Sequence, residues 1–338
     1  MRVILIGFGT VGQHFAKALY SKAAAFAATY GFQPRIVAVA DRGGAAVNPD
    51  GLNIDAVLES KRSSGSVSSK ARFGIPGKSA LEVVQGVDAE VVVEVTPTNT
   101  IDGEPGLSHV RAALSSGKHA ITTNKGPIAL ALPDLLKLAS KNNVRIKFSG
   151  TVGGGTPILD LAKKRIASYG IRSVRGVLNT TTNYILTRMA ENRVSMEVAL
   201  KEAKAAGYAE ADPLHDINGF DTACKLVILA NWVMERKTSI RDVKTTGIAA
   251  ITLEEIERAD RQKATVRLIG TIEKELVVQP ERVSKDDPLS VKGAMNAVTF
   301  DTDLAGGITL VGFGAGGEGT SRAVLRDLID IAAGGVDA

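Results

Sequence analysis

RVILIGFGTVG, from Arg2 to Gly12, places a short β-branched run directly before three glycines spaced as G-x-G-x-x-G. Glycines at this spacing allow a tight turn between a strand and a helix. They also let backbone N–H groups approach a pyrophosphate, whose charge the helix N-terminus favours. In this setting the motif predicts a dinucleotide site. Its expected cofactor-binding residues are Gly7, Phe8, Gly9, Thr10, Val11 and Gly12.

Apolar runs and helix-favouring segments alternate beyond this turn. Val11 to Tyr30 is Ala-rich and helix-favouring, Arg35 to Ala40 is a second apolar run, and Ala89 to Val95 is rich in valine. Further helices are expected at 108–116 and 130–141, with strands at 119–123 and 145–148. The alternation predicts an α/β fold with a Rossmann-type, doubly wound parallel sheet. The segment from Gly43 to Gly77, rich in Ser, Gly and Asn, is interpreted as an excursion of loops and one helix.

The character of the sequence changes at TVGGGTP, Thr151 to Pro157. Amphipathic helical segments and then β-rich runs follow, which predicts a second, α+β domain. A chain of 338 residues is also too long for one ordinary core. We therefore expect a dinucleotide-binding domain over 1–150, completed by about 312–338, and a second domain over 151–311.

Composition excludes several classes of protein. The net charge is +5, but Lys and Arg are spread along the chain and aromatic residues are only 4%, so we expect no nucleic-acid partner. The single cysteine, Cys224, rules out an intramolecular disulfide and a cysteine zinc cluster, and it fits a reducing cytoplasm. The sequence shows no secretion signal and no run of about 18 apolar residues, so we expect neither export nor membrane insertion.

Asp41 and Arg42 follow the second predicted strand. A carboxylate at this position can accept a hydrogen bond from a ribose hydroxyl, which favours NAD. The arginine could instead stack on adenine or meet a 2′-phosphate, which favours NADP. The two neighbours leave NAD and NADP as alternatives.

Lys125 lies in TTNKGP, just past the predicted strand at 119–123. Gly126 and Pro127 are expected to end regular structure, so this lysine is predicted to lie in a loop. Carboxyl ends of strands form the ligand crevice of an open α/β sheet, so the ammonium would point at bound cofactor or substrate. The alternative is an ordinary solvated loop lysine.

The stretch from Gly207 to Trp232 contains the most informative pair of charges. Asp221 and Lys225 are four residues apart on a predicted helix, which would also suit a surface ion pair. That helix is apolar nearly all round, so it should be buried, and buried charges are costly unless paired or used. We therefore favour a site role for the pair. Three carboxylates upstream suit the binding of a substrate ammonium; they are Glu210, Asp212 and Asp216.

At these residues the chain resembles homoserine dehydrogenase over essentially its whole length. The matching pieces, in order, are GFGTVG, EVTPT (94–98), TTNKGP, TVGGGTP, TTNYIL (181–186), the stretch 210–225 and GFGAGGEGTSRAVLRDL near the end. The resemblance implies NAD(P)-dependent interconversion of L-aspartate 4-semialdehyde and L-homoserine. This reaction belongs to threonine, methionine and isoleucine biosynthesis.

The resemblance also implies roles for particular residues. Lys225 would be the proton donor to the aldehyde oxygen, with Asp221 beside it, and Lys125 would lie between nicotinamide and substrate. The implied substrate-binding residues are Glu210, Asp216 and Thr181. Thr96 and Gly316 correspond to cofactor contacts. Family members are typically homodimers formed through the sheet of the second domain, which gives residues 151–311 a substrate-binding and dimerisation role.

Three departures from the family pattern stand out. Ser149 replaces a carboxylate usual before TVGGGTP, so a sodium ion there would have only the carbonyls of Val152, Gly154 and Thr156. Thr180 stands where members often have glycine. The sequence ends soon after its last predicted helix, so an ACT regulatory module and threonine feedback through it are not expected.

The implied chemistry predicts a pH dependence. A lysine ammonium already carries a proton at neutral pH, which suits aldehyde reduction. In the reverse direction it must first lose that proton, so homoserine oxidation is expected to be faster at alkaline pH.

Three alternatives are weighed against this function. An aspartate dehydrogenase would need ammonia-dependent activity. Aspartate-semialdehyde dehydrogenase needs a cysteine nucleophile, whereas Cys224 falls on a buried-type helix. A nucleotide-sensing protein could keep the fold without turnover, but the presence of both Lys125 and Lys225 argues against it.

Overall fold

The computed structural model describes residues 1–69, 72–210 and 212–334. The chain forms two compact units. The first unit comprises Met1–Thr151 and Gly316–Ala338, and the second comprises Val152–Ala315. The final helix is therefore part of the first unit, although it follows the second unit in the sequence. Across the described ranges, no helix is long and apolar enough to cross a membrane.

A seven-stranded sheet forms the centre of the first unit. Its strands are β1 (Arg2–Ile6), β2 (Arg35–Asp41), β3 (Gly44–Val47), β4 (Gly74–Pro76), β5 (Val91–Glu94), β6 (His119–Thr122) and β7 (Ile146–Lys147). They lie in the order β4-β3-β2-β1-β5-β6-β7. Five of them pair in parallel: β2, β1, β5, β6 and β7. This confirms the α/β class with a Rossmann-type parallel sheet.

The segment from Gly43 to Gly77 differs from the prediction because it extends the sheet. β3 returns antiparallel to β2, and β4 pairs antiparallel with β3. The two central alanines of β3, Ala45 and Ala46, are fully buried. Small residues have weak strand preference, and this hid the edge strands in the sequence.

Helices cover the sheet of the first unit. They are α1 (Thr10–Tyr30), α2 (Ile54–Ser64), α3 (Ala80–Gly86), α4 (Gly106–Ser115), α5 (Lys125–Lys141) and α12 (Gly317–Ala332). Leu5 and Val93 of the sheet share one core with Phe15 of α1 and Leu328 of α12.

Lys125 is the first residue of α5, so the prediction of a loop here was wrong. Asn124 caps the helix, and its side chain accepts a hydrogen bond from Gly126 N at 3.1 Å. Pro127 is tolerated because first-turn N–H groups have no partner within a helix. The helix bends further along, where Ala131 has non-helical φ and ψ two residues before Pro133. Lys125 therefore lies at a helix N-terminus immediately after the carboxyl end of β6.

The second unit is an α+β body around a six-stranded sheet. Its strands are β8 (Ile171–Val177), β9 (Val243–Thr245), β10 (Ala264–Ile272), β11 (Leu276–Ser284), β12 (Met295–Thr302) and β13 (Gly306–Phe313). They lie in the order β13-β12-β8-β10-β11-β9. Its α-helices are α6 (Ile158–Leu161), α7 (Thr180–Asn192), α8 (Met196–Ala205), α9 (Leu214–Ile217), α10 (Phe220–Trp232) and α11 (Leu253–Arg261).

α10 is buried nearly all round, as its apolar sequence predicts. Every residue from Thr222 to Ala230 is buried. Gly270 of β10 makes this packing possible, because a Cβ there would lie 3.0 Å from side-chain atoms of both Leu226 and Thr222. Lys225 is therefore carried on a helix pressed against the sheet.

Candidate active site

The glycine-rich turn between β1 and α1 depends on two of its glycines for shape. Gly7 has φ +94°, and a Cβ there would lie 2.7 Å from the carbonyl oxygen of Val95. A Cβ on Gly12 would overlap the carbonyl oxygen of Gly7. Gly9 differs, because nothing lies within 4 Å of a Cβ built there. The turn is thus tight on its inner side and open at Gly9.

The start of α1 fits an anionic ligand at this opening. Gly9 is the N-cap residue and makes no side-chain cap hydrogen bond, so the cap residue does not satisfy the first-turn amides. Phe8 is buried in the core, so only its backbone is available to a cofactor. The start of α12 packs here too, because a Cβ on Gly317 would overlap the Thr10 side chain. The predicted cofactor residues Thr10 and Gly316 are therefore neighbours.

The carboxylate of Asp41, at the end of β2, accepts hydrogen bonds from other residues of the first unit. One carboxylate oxygen accepts from Gly43 N at 2.9 Å and Ser66 Oγ at 2.8 Å. The other accepts from Lys61 Nζ at 2.8 Å and Val67 N at 3.0 Å. Its side chain is only 6% exposed. A ribose hydroxyl would have to displace one of these donors, whereas Arg42 next to it is exposed.

These partners also change the acidity of Asp41. Burial alone would raise the pKa of its carboxyl group, but hydrogen bonds from Lys61, Ser66, Gly43 and Val67 outweigh burial. Together they hold the pKa below its ordinary value. A lowered pKa in the folded state means that the ionised carboxylate stabilises the fold at neutral pH.

We expect Asp41→Asn to lower the free energy of unfolding at pH 7 by about 1–3 kcal/mol, because an amide N–H₂ would face the donors Lys61 and Val67. The extra stability of the wild type is present above the unfolded-state pKa of about 3.9. It disappears as the pH falls through the lower folded-state pKa of Asp41. Urea unfolding at pH 7 and at acidic pH measures this difference in the free energy of unfolding. Asp50→Asn, at an exposed position, is the control. An equal loss at both pH values would contradict the prediction.

Glu94 is a buried carboxylate to which sequence reasoning assigned no role. It ends β5, is fully buried, and accepts from Thr96 N at 2.9 Å, from the Thr96 hydroxyl and from Thr122 Oγ1 at 2.7 Å. Thr122 Oγ1 in turn accepts from Asn124 N at 3.0 Å. Asn124 Nδ2 reaches the loop after β5 at the carbonyl oxygen of Pro97, 3.2 Å away.

This network ties together the loops that follow two neighbouring strands. Glu94 and Thr122 are direct partners in the register of β5 and β6. The two predicted ligand contacts of these loops, Thr96 and Lys125, are therefore held at one edge of the sheet. The motifs EVTPT and TTNKGP were both visible in the sequence. The strands before them are neighbours in the sheet, and knowing this would have predicted that the two motifs lie close together.

In the second unit, Lys225 and Asp221 form the predicted ion pair, and it is not a surface pair. Lys225 Nζ lies 2.7 Å from Asp221 Oδ2, with side chains only 9% and 13% exposed. Lys225 Nζ also donates to the carbonyl oxygen of Leu178 at 2.5 Å. Two acceptors thus fix the direction of the ammonium group.

Asn179 bridges the two buried carboxylates and was missed by sequence reasoning. Its Nδ2 donates to Asp216 Oδ1 at 2.6 Å and to Asp221 Oδ2 at 2.9 Å. Its Oδ1 caps α7 by accepting from Thr182 N at 2.8 Å. An asparagine just before Thr-Thr-Thr-Asn is a recognisable N-cap signal, but its contacts with residues 37 and 42 positions away were not predictable.

Asp216 lies in the same cluster, on the short helix α9. Burial, and then repulsion from Asp221, raise the pKa of its carboxyl group, against the opposing effects of Asn179, Thr181 and Lys225. The structure therefore brings together Thr181, Asp216, Asp221 and Lys225, all predicted site residues. Glu210 and Asp212 are exposed.

The TVGGGTP turn supplies neutral oxygen atoms only. The Thr156 carbonyl accepts from Ile158 N at 2.8 Å, and the Gly153 carbonyl accepts from Thr156 N at 2.9 Å. Among the described residues, no group of three or more His, Cys, Asp or Glu side chains could hold a metal ion. Thr180, the departure from glycine, is buried, and its hydroxyl donates to Asn296 Oδ1 at 3.0 Å.

Two family models match consecutive parts of the chain. Residues 7–149 match "Homoserine dehydrogenase, NAD binding domain" and residues 157–329 match "Homoserine dehydrogenase". The chain is 44% identical to a homoserine dehydrogenase of Methanocaldococcus jannaschii, with 98% of each protein covered. It is 39% identical to an NAD(+)-dependent homoserine dehydrogenase of Pseudomonas canavaninivorans, covering 98% of this chain and 96% of that protein.

A solved structure shares the fold. It is a hyperthermophilic archaeal homoserine dehydrogenase in complex with NADPH, 28% identical to this chain with a TM-score of 0.85. The superposition covers 98% of this chain and 97% of the other.

Proposed function

We propose, since this chain belongs to the homoserine dehydrogenase family, that Lys225 transfers the proton of the family reaction. The protein is an NAD(P)-dependent oxidoreductase of amino-acid biosynthesis that interconverts L-homoserine and L-aspartate 4-semialdehyde. Family membership decides against the aspartate dehydrogenase and nucleotide-sensor alternatives. The observation that carries the proposal is the buried ammonium of Lys225, oriented by Asp221 and the Leu178 carbonyl.

Lys225 acts as acid in one direction and as base in the other. In aldehyde reduction its ammonium donates a proton to the carbonyl oxygen and stabilises the developing alkoxide. In homoserine oxidation the neutral amine accepts the hydroxyl proton. Asp221 stabilises the ammonium form and holds its direction. A nicotinamide cofactor, when bound, would supply or accept the hydride.

The first unit is proposed to be the dinucleotide-binding domain. The amides at the start of α1 would hold the pyrophosphate, with Gly9 giving the backbone room to approach it. Thr96 and Gly316 would contact the cofactor, and Lys125, at the start of α5, would hold the substrate next to the nicotinamide. The second unit is proposed to be the substrate-binding domain, where Glu210 supplies the negative charge for the substrate ammonium and Thr181 and Asp216 provide polar contacts.

We propose that the enzyme accepts NADP as well as NAD. Lys61 pairs with the Asp41 carboxylate and offsets its charge. The carboxylate therefore repels a 2′-phosphate only weakly. The exposed guanidinium of Arg42 next to it can meet that phosphate.

One spectrophotometric experiment tests the function and its pH dependence. Homoserine is oxidised with NAD and NADP in parallel, with aspartate as the control substrate. We expect reduction of both cofactors with homoserine and of neither with aspartate. We also expect the rate to rise between about pH 7 and 10, because Lys225 must lose its proton before it can accept one. A flat rate over that range would count against Lys225 as the base, and turnover of aspartate would contradict the assigned substrate.

A sodium ion at the carbonyls of Val152, Gly154 and Thr156 would be held by neutral oxygens alone, one of them already bonded to Ile158 N. The carbonyl oxygen of Thr156 keeps a second lone pair that could face such an ion. The proposed mechanism does not use the ion.

The enzyme is further proposed to be a cytoplasmic homodimer that assembles through the sheet of the second unit. The edge strand of that sheet, β13, leaves Val311 and Phe313 exposed. The cytoplasmic assignment rests on the single cysteine of the sequence, Cys224, which cannot form a disulfide within the chain.

A further inference from the structure

Three oxygen atoms of the second unit lie in a row beside the Lys225 pair. Thr181 Oγ1 lies 2.6 Å from the carbonyl oxygen of Tyr208 and 2.9 Å from Asp216 Oδ2. Both distances are those of good hydrogen bonds. A threonine hydroxyl has one proton, and a carbonyl oxygen can only accept. The proton between Thr181 and Asp216 therefore needs a second source.

Asn179, the other hydrogen-bond partner of Asp216, cannot supply this proton. Asn179 has two amide protons, and it directs them at Asp216 Oδ1 and Asp221 Oδ2. If Asp216 were ionised, the single hydroxyl proton of Thr181 could serve only one of the two neighbouring oxygens. The other oxygen would then face only the lone pairs of Thr181 Oγ1. Two oxygen atoms at either of these distances repel each other when no proton lies between them. A proton on Asp216 Oδ2 satisfies every contact in the row.

We infer that Asp216 is a neutral carboxylic acid in the resting enzyme, donating its proton to Thr181, which donates its own to the Tyr208 carbonyl. Asp216 thereby becomes a positioning residue. It holds Thr181 and Asn179 in place, while Asp221 keeps the negative charge that faces Lys225.

The charges around the site agree with this assignment. The charged groups that act on Asp216 are Asp221 and Lys225, both on α10. One lysine ammonium faces two carboxyl groups that are joined through a single amide, and two buried carboxylates in one site disfavour double ionisation. With Asp216 protonated, Asp221 and Lys225 form a balanced pair.

The inference deepens the proposed function and rests on it, because it settles which acid binds the substrate ammonium. A neutral Asp216 supplies no ionic attraction to that ammonium, which leaves Glu210 as its anionic partner. Asp216 then contributes shape and hydrogen bonds to the pocket rather than charge.

Asp216→Asn and Asp221→Asn form the matched test. Asparagine at 216 reproduces a neutral acid, since its oxygen can accept from Asn179 and its N–H₂ can donate to Thr181. We expect Asp216→Asn to lower kcat/KM for homoserine several-fold less than Asp221→Asn does, because each hydrogen bond of residue 216 is kept. Asp221→Asn removes the charge paired with Lys225, and we expect a fall of about 30-fold or more.

An infrared measurement gives a readout that a merely structural role would not move. In wild-type protein with ¹³C-labelled aspartate carboxyls, a protonated-carboxyl band should persist at pH 7 and be absent from Asp216→Asn. The wild-type band alone tests the inference if a variant fails to fold. Absence of that band at pH 7, or a loss in Asp216→Asn as large as in Asp221→Asn, would overturn it. Near-wild-type activity of Asp221→Asn would instead count against the proposed function.

Discussion

Replacing Lys225 by alanine is expected to lower kcat for homoserine oxidation by about 10²- to 10⁴-fold, the usual contribution of a positioned general acid or base. The Lys225 side chain is 9% exposed, and both acceptors of its ammonium group come from the second unit. Steady-state rates at saturating cofactor and substrate measure the loss. The dissociation constants of NAD and NADP should stay close to wild type, because no part of the predicted dinucleotide site lies on α10.

Two controls separate loss of chemistry from loss of structure. Lys225→Met keeps an unbranched apolar stem in the buried helix and should lose activity to the same extent. Lys244→Met removes an exposed lysine of the second unit, paired with Glu275, and should leave kcat unchanged. Activity of Lys225→Ala within tenfold of wild type would contradict the role assigned to this residue.

The second large effect is expected from two glycines of one turn, Gly12 and Gly9. A Cβ on Gly12 would overlap the Gly7 carbonyl oxygen, so Gly12→Ala should strain the backbone where α1 begins. Overpacking of this kind costs about 1–3 kcal/mol, which corresponds to a fall in melting temperature of about 2–12 °C. Gly9 has φ −84° and open space around it, so Gly9→Ala should melt like wild type.

The same pair of variants separates stability from cofactor binding. Gly9→Ala places a methyl group where the pyrophosphate is proposed to approach, and we expect its dissociation constant for NAD to rise about tenfold or more. Calorimetric melting measures the first property, and titration with NAD in an isothermal calorimeter measures the second. Unchanged cofactor affinity in Gly9→Ala would place the pyrophosphate elsewhere.

Local patterns in the sequence predicted much of the fold. The turn from Gly7 to Gly12, the valine-rich β5 and the apolar α10 each carry their signal within a short window, because strand and helix periodicity are local properties. Lys125 was misplaced in a loop because Gly126 and Pro127 ordinarily end structure, whereas here they form a first helical turn capped by Asn124.

The candidate site was predictable in its charged residues and not in the groups that hold them. Asp221 and Lys225 are separated by one helical turn, so their pairing could be foreseen. Glu94 and Thr122 are 28 residues apart, and Asn179 and Asp216 are 37 apart. Contacts between such distant positions depend on how strands and helices are arranged, and no local pattern encodes them.

Asp41 shows the same limit. A carboxylate at the end of the second strand was expected to accept from a ribose hydroxyl. In the structure the carboxylate accepts hydrogen bonds from Lys61, Ser66 and Val67, which lie 20 to 26 residues further along the chain. The sequence did not predict these bonds. Lys61 lies on α2, and Ser66 and Val67 follow that helix, in the segment between the edge strands β3 and β4.

Chemical rescue of Lys225→Ala tests the central claim most directly. The truncated side chain leaves space beside Asp221 for a small primary amine, so methylamine or ethylamine should restore homoserine oxidation. We predict that the restored rate rises in proportion to the concentration of the unprotonated amine, at every pH tested. A folded, cofactor-binding Lys225→Ala enzyme whose rate does not respond to added amine would contradict proton transfer by this residue.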